Sequence, residues 1–249
     1  MKQILGIDVG GTKIAAGLVD TKFRVSNVTV IPTLHTDLLG QTRRLIADYK
    51  GFSGIGLGMP GQVLADGVVK SLGNVPWKSI NLKQEFISKF RVPVSVMNDT
   101  KAFAMAQALV GEGKNFKTVA GVILGTGIGV GFISDKKVYF GANRLAGEIG
   151  HFEMPNGKFF EQEVREAGPF KNAKQAHRFL RSLLTFIVRS FDPEIIIVGG
   201  GWGGLPGMQT ELEYIIKNLK KFPIKTKVKV SKLKHSGIIG AALPLFRVR

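Results

Sequence analysis

The 249-residue chain contains no cysteine. Disulfide scaffolds, Cys-ligated zinc, iron–sulfur clusters and thiol nucleophiles are therefore excluded. Histidine is scarce as well, with four in the whole chain, so Glu148-x-x-His151 by itself does not make a zinc site. No apolar run approaches the roughly 18 residues of a membrane span. The opening MKQILGIDVGGTK has one early lysine and no long apolar stretch, which argues against a secretory signal. Acidic residues are also few: 18 against 35 Lys and Arg, a formal charge of +17. A soluble, cytoplasmic protein is expected, and its basicity reflects either a Lys-rich solvated surface or a polyanionic partner.

Glycine, by contrast, is abundant, with 32 residues clustered at the ends of apolar runs. Ile4 to Val9 reads as a buried strand, Gly10-Gly11-Thr12-Lys13 as a turn and Ile14 to Val19 as a second strand, the signature of a hairpin. Further strands are expected over Val25–Pro32, Ile55–Met59, Val92–Met97, Thr118–Leu124, Glu194–Val198 and Lys225–Val230. Helices are expected over Gln41–Lys50, Leu82–Phe90, Lys101–Leu109, Lys174–Phe191, Glu211–Lys221 and Ile238–Phe246, the last with a doubtful end at Pro244. Strands and helices interleave, so the class is α/β. No Pro/Ser-rich linker separates two halves, and the reading places the boundary inside a compact unit, near residues 100–115.

Three glycine segments follow strands: Asp8-Val9-Gly10-Gly11-Thr12-Lys13, Leu124-Gly125-Thr126-Gly127-Ile128-Gly129-Val130-Gly131 and Gly199-Gly200-Gly201-Trp202-Gly203-Gly204. Lacking Cβ atoms, such turns can aim successive backbone N–H groups at an anion, or can simply close tight hairpins. Thr12 and Thr126 add hydroxyl donors, and Lys13 adds charge. Gly10 and Gly125 stand 115 residues apart, so strand, phosphate-sized turn and strand occur twice. Two Gly-x-Gly-x-x-Gly matches, at Gly56 and Gly199, fail as dinucleotide fingerprints: Pro60 interrupts the first, and Lys225 follows the second where an acidic ribose ligand is wanted. No P-loop is present.

Asn98-Asp99 closes a strand and opens a helix, at the sheet edge where ligands bind in open α/β folds; an Asp there also serves as an ordinary N-cap. Gly147-Glu148-Ile149-Gly150-His151 places a carboxylate and an imidazole between glycines. Carboxylates, an amide and an imidazole beside anion-binding turns suit phosphoryl transfer to a hydroxyl-rich substrate.

In this order these residues resemble the ROK family of sugar kinases and repressors, within the actin-like/hexokinase (ribonuclease H-like) ATPase fold. Asp8-x-Gly10-Gly11-Thr12-Lys13 is similar to the family's first phosphate motif and Gly125-Thr126-Gly127 to its second. Gly58-Met59-Pro60-Gly61 resembles a turn near the sugar, Asn98-Asp99 the Asn-Asp pair and Glu148-x-Gly150-His151 the sugar-binding segment. Ile197-Val198-Gly199-Gly200-Gly201 resembles the adenosine side, and Gly237-x-x-Gly240 the closing segment. The resemblance implies two lobes around a cleft: residues 1–110, carrying the first phosphate motif and the catalytic Asp, and 111–249, whose final helix, about 237–249, packs back on the first lobe.

It further implies a glucokinase-like hexose kinase using ATP, with Asp99 as general base and Gly61, Asn98, Glu148 and His151 at the sugar. A further sugar-binding Glu stands five residues before a Gly, which favours Glu163 over Glu161. Asp8 would organise Mg²⁺ through water, and a homodimer is implied. Where the family carries a Cys-rich zinc loop, residues 152–166 have no Cys, so no structural zinc is expected. Lys101 and Gln107 stand where Asn and Glu are usual. The Cys-free loop and short length also resemble the branch that uses inorganic polyphosphate as donor. No helix-turn-helix precedes Met1, which disfavours a repressor.

Lys217 to Lys234 holds eight lysines and no acid. Lys225, Lys227 and Lys229 line one strand face, either as charges that block edge-to-edge aggregation or as a track for a polyanion. With Phe222 alone for stacking, nucleic acid is disfavoured as the partner. The competing readings are a non-catalytic sugar sensor and a polyanion-binding protein.

Overall fold

The structure is a computed structural model, described over residues 2–70, 79–125, 127–219 and 223–246. The chain forms two compact units: residues 1–106, 141–145 and 234–249 make the first, and 107–140 and 146–233 the second.

The first unit opens with β1 (Ile4–Val9), β2 (Lys13–Val19) and β3 (Val25–Pro32), an antiparallel meander. Helix α1 (Leu38–Ala47) leads to β4 (Ile55–Met59). It starts earlier than its apolar spacing suggests, because Asp37 accepts the Gly40 N–H and caps it. Three short strands, β5 (Gln62–Val63), β6 (Val68–Lys70) and β7 (Ile80–Asn81), form a separate small sheet. Helix α2 (Leu82–Phe90), strand β8 (Val94–Asn98) and helix α3 (Asp99–Leu109) follow. The main sheet runs β3-β2-β1-β4-β8, with β4 parallel to both β1 and β8.

The second unit repeats that plan. Strand β9 (Thr118–Leu124) pairs antiparallel with β10 (Ile128–Ser134), and β10 with β11 (Lys137–Tyr139). Helices α4 (Phe160–Ala167) and α5 (His177–Phe191), strand β12 (Ile195–Gly199), helix α6 (Met208–Lys217) and strand β13 (Lys227–Val230) complete it. The order β11-β10-β9-β12-β13, with β12 parallel to β9 and β13, matches the first sheet strand for strand. The turn expected over Gly125–Gly131 is shorter: β10 already pairs at Ile128, since Gly129 and Gly131 are accommodated inside the ladder.

Helix α7 (Ser236–Ala242) returns to the first unit, where Pro244 ends it in a short 3-10 turn, Leu243–Leu245. It lies on the sheet backbone itself. A Cβ on Gly6 would fall 2.2 Å from the Ile238 carbonyl oxygen, and one on Gly56 2.0 Å from that of Ala241. The first core joins Leu5, Ile7, Val9, Ile14, Ile46, Leu57 and Phe86; the second joins Val122, Leu124, Val130, Leu183, Ile187, Ile196 and Leu212.

Candidate active site

Ligands of open α/β sheets bind outside the carboxyl ends of parallel strands, and the candidate residues collect there in each unit. In the first unit, β1 ends at the Gly10–Thr12 turn, β4 at Pro60-Gly61 and β8 at Asn98-Asp99. In the second, β9 ends at Gly125 and β12 at Gly200. Thr126 lies outside the described residues.

Asn98, rather than Asp99, caps α3. Its Oδ1 accepts the Lys101 N–H at 3.1 Å, while its amide donates to the Gly61 carbonyl at 3.1 Å. Both ends of the buried Asn98 amide are thus fixed to backbone, tying the 58–61 turn to the start of the helix. Asp99 is left as the first helical residue, half-exposed, with Oδ1 accepting the Thr100 N–H at 2.7 Å. This division of labour gives the carboxylate a set position without spending it on the cap.

Asp8 sits on β1 beside Gly237, whose missing Cβ would fall 2.0 Å from Asp8 Oδ2. The residue keeps some exposed surface, but its carboxyl is shut in. Burial pushes its pKa up to about 6, against the opposing pull of the Lys13 ammonium. The Gly10–Thr12 turn is open to solvent at Gly11 and Thr12 and is braced from behind, with Thr33 Oγ1 donating to the Gly10 carbonyl at 2.7 Å. Among the described residues no group of three or more His, Asp or Glu forms a metal cluster. One shielded carboxylate is nonetheless the protein share that Mg²⁺ takes when substrate phosphates and water supply the rest.

In the second unit the two glycine turns touch. A Cβ on Gly200, which has φ of +82°, would meet the Leu124 carbonyl at 2.4 Å, and one on Gly125 would stand 3.8 Å from the Gly201 nitrogen. Gly147, at φ +90°, allows the approach that puts Glu148 and His151 next to β10: its Cβ would fall 1.6 Å from the Val130 carbonyl oxygen. His151 stands with Nδ1 3.7 Å from Glu148 Oε2 and Nε2 3.9 Å from Glu161 Oε1. These gaps exceed direct hydrogen bonds, and a hydroxyl about 2.8 Å from each partner spans them.

The family resemblance favours Glu163; the glutamate that the structure places beside His151 is Glu161. Residues two apart on a helix point in nearly opposite directions. Phe160 and Val164 face the core of α4, Glu161 sits on the His151 flank, and Glu163 accepts a hydrogen bond from Asn156. Helix α4 itself escaped the sequence reading, although Phe160 and Val164 four apart were its signal.

Residues 152–159 form a small hairpin: Glu153 bridges Phe159, the Met154 N–H donates to the Lys158 carbonyl at 2.8 Å, and Gly157 turns the corner at φ +75°. Lys158 adds an ion pair with Glu166. Of the Lys-rich stretch, Lys227 and Lys229 lie exposed on β13, an edge strand, with Val228 buried between them and Thr226 buried just before them. Strand pairing begins at Lys227 rather than Lys225, and Lys220, Lys221 and Phe222 are outside the described residues. Also among the described residues, no helix is long and apolar enough to cross a membrane.

Comparison with known proteins decides the family. The ROK family profile matches residues 4–169, most of the chain and nearly all of the residues assembled above. The chain belongs to the ROK family. It is 31% identical to an N-acetyl-D-glucosamine kinase of Vibrio parahaemolyticus over 95% of this chain and 97% of that protein. In structure it is similar to a ROK family glucokinase from Streptomyces griseus solved with glucose and AMPPNP, with a TM-score of 0.84, 22% identity and coverage of 97% of this chain and 98% of the other. An inorganic polyphosphate/ATP-glucomannokinase from Arthrobacter is 27% identical at a TM-score of 0.78, over 98% of both chains. The doubled five-stranded sheet is accordingly that of the actin-like ATPase fold shared by ROK hexokinases and glucokinases.

Proposed function

We propose that this ROK protein is a sugar kinase that transfers the terminal phosphoryl group of ATP to a hydroxyl of a hexose or N-acetylhexosamine. The observation that carries the reading is the Asn98–Asp99 arrangement: the amide does the capping, and a carboxylate is held at the carboxyl end of β8. Asp99 takes the acceptor's hydroxyl proton as the sugar oxygen bonds to phosphorus. The bond from phosphorus to the bridging oxygen breaks, and its electron pair leaves with ADP.

Glu148, His151 and Glu161 bind the sugar hydroxyls, and Asn98 and Gly61 shape the acceptor's surroundings. The turns at Gly10, Gly11, Thr12 and Lys13, at Gly125 to Gly127, and at Gly199 to Gly201 hold the donor. Asp8 would hold Mg²⁺, which when bound neutralises phosphate charge. The acceptor reading is broader than glucose because curated relatives, such as the Vibrio parahaemolyticus protein, are kinases of N-acetylated amino sugars. Inorganic polyphosphate is a second donor to test, supported by the likeness to the Arthrobacter enzyme and by exposed Lys227 and Lys229.

The experiment is a transfer assay crossing glucose, mannose, N-acetylglucosamine and N-acetylgalactosamine with ATP and tripolyphosphate, for the wild type and Asp99→Asn. Wild-type transfer from ATP, with turnover lowered a hundredfold or more on the order of general-base effects in Asp99→Asn, is the expected outcome. A variant that turns over normally would remove Asp99 from the base role, and absence of transfer from every donor would reject the kinase.

A further inference from the structure

The two oxygens of the Glu161 carboxylate look to different parts of the second unit. Oε1 stands 3.9 Å from His151 Nε2 and 3.5 Å from Arg165 Nη2. Oε2 lies against two glycines: a Cβ on Gly150 would fall 3.0 Å from it, and one on Gly127 3.3 Å. Gly150 belongs to the segment that carries Glu148 and His151, whereas Gly127 closes the turn after β9 and is exposed. The Gly127 carbonyl accepts the Gly125 N–H at 3.1 Å, which pins the turn. Among the described residues beyond its chain neighbours, Glu161 Oε2 is the one atom within 4 Å that a Cβ on Gly127 would meet, and Gly127 has no positive φ. Its bare Cα thus leaves room for that carboxylate rather than for an unusual backbone.

A negative charge is therefore fixed at the rim of a turn assigned to the donor phosphates. Like charges a few ångströms apart repel strongly where protein displaces part of the water. The Glu161 side chain is 18% exposed and that of Arg165, its ion-pair partner, 52%, so solvent screens the compensating charge more than the carboxylate. A sugar hydroxyl in the gap between His151 and Oε1 changes this balance. By donating its proton to Oε1 it turns a positive pole toward the carboxylate and fixes it on the acceptor side.

We propose that Glu161 couples the two substrates of this kinase. Without sugar, its charge weakens binding of donor phosphates at the Gly125 and Gly127 turn; a sugar hydrogen-bonded to Oε1 relieves that repulsion, so the donor binds well only beside an acceptor. Resting on the kinase reading, this role deepens it by naming how that site is regulated.

The experiment is calorimetric titration of Mg²⁺–AMPPNP into the wild type, Glu161→Gln and Glu163→Gln, each with and without the best acceptor of the transfer assay. In the wild type and Glu163→Gln, saturating sugar should tighten AMPPNP about fivefold or more, the lower end of coupling between sites. Glu161→Gln should bind AMPPNP about fivefold or more tighter than wild type without sugar, and should gain less than about twofold from it. The sugar-free comparison is decisive, because a variant that had only lost its grip on sugar would bind AMPPNP as the wild type does. The difference should shrink as salt is raised from 20 to 500 mM, on the order of the change in screening length. Sugar-free affinity in Glu161→Gln equal to or weaker than wild type, or coupling that survives the substitution, would overturn the assignment and leave the kinase standing. If AMPPNP does not bind, tripolyphosphate takes its place in the same comparison; binding of neither, to wild type or variant, would remove the kinase reading and the coupling together. Should Glu161→Gln not fold, Arg165→Ala carries the decision: freeing the carboxylate of its ion pair should enlarge the tightening by sugar, and unchanged coupling would refute it.

Discussion

Glu161 stands 3.9 Å from the His151 imidazole, while Glu163, two residues on, is turned to Asn156. The pair separates two roles that the sequence leaves adjacent. Glu161→Gln should raise the KM for the sugar about tenfold or more, the scale of a lost charge-assisted hydrogen bond. Glu163→Gln should leave it within about twofold. Steady-state kinetics against the best acceptor checks both, and the opposite ranking would return the sugar role to Glu163.

Asp8 makes stability depend on pH with a definite sign. Its folded pKa, about 6, lies above the unfolded value of 3.8, so the folded state holds the proton more tightly. The ionised carboxyl therefore opposes folding above pH 6, and that penalty fades as pH falls from about 6 to about 4. Without Mg²⁺, Asp8→Asn should stabilise the protein at pH 7.5 by up to about 3 kcal/mol, and the gain should vanish near pH 4. Denaturant melts of both proteins across that range test it; a gain that grows on acidification would contradict the burial argument.

Gly237→Ala should act on the same carboxyl. A Cβ at 2.0 Å forces Asp8 Oδ2 away, so turnover should fall at least tenfold on the order of misplaced-group effects. A large fall in kcat without one in thermal stability would mark displacement of Asp8, whereas parallel losses would mark misfolding of α7.

The loop after His151 is closed by its own backbone hydrogen bonds, so treatment with a strong zinc chelator should leave the melting temperature unchanged. Gly157→Val, which puts a β-branched residue at φ +75°, should lower stability by about 1–2 kcal/mol and weaken sugar binding with it. A melting temperature that drops with chelator would mean that a metal holds this segment after all.

Much of the fold was legible because buried strands announce themselves. Ile4–Val9, Ile55–Met59 and Thr118–Leu124 have the expected limits, each an apolar run closed by punctuation, and the largely exposed Val25–Pro32 keeps its expected limits too. Helix starts were not legible to the residue, because caps rather than apolar spacing decide them. Asp37 pulls α1 forward to Leu38, and Asn98 starts α3 at Asp99. At the site, the glycine turns and the Asn98-Asp99 pair stood out by their position after strands. That Glu161 rather than Glu163 lies beside His151 did not, because it depends on the phase of a helix too short to show in the pattern. Nor did the demand on Gly147 and Gly237, which arises from carbonyls and carboxyls far away in sequence.

Gly6 and Gly56 have a consequence for synthesis. The strands that carry them leave the ribosome well before Ile238 and Ala241, far downstream in the chain, for which the surface they present at close range is shaped. The first unit must therefore wait, its sheet uncovered, until the second has been translated, and a nascent chain stalled before residue 234 should stay protease-sensitive over its first hundred residues.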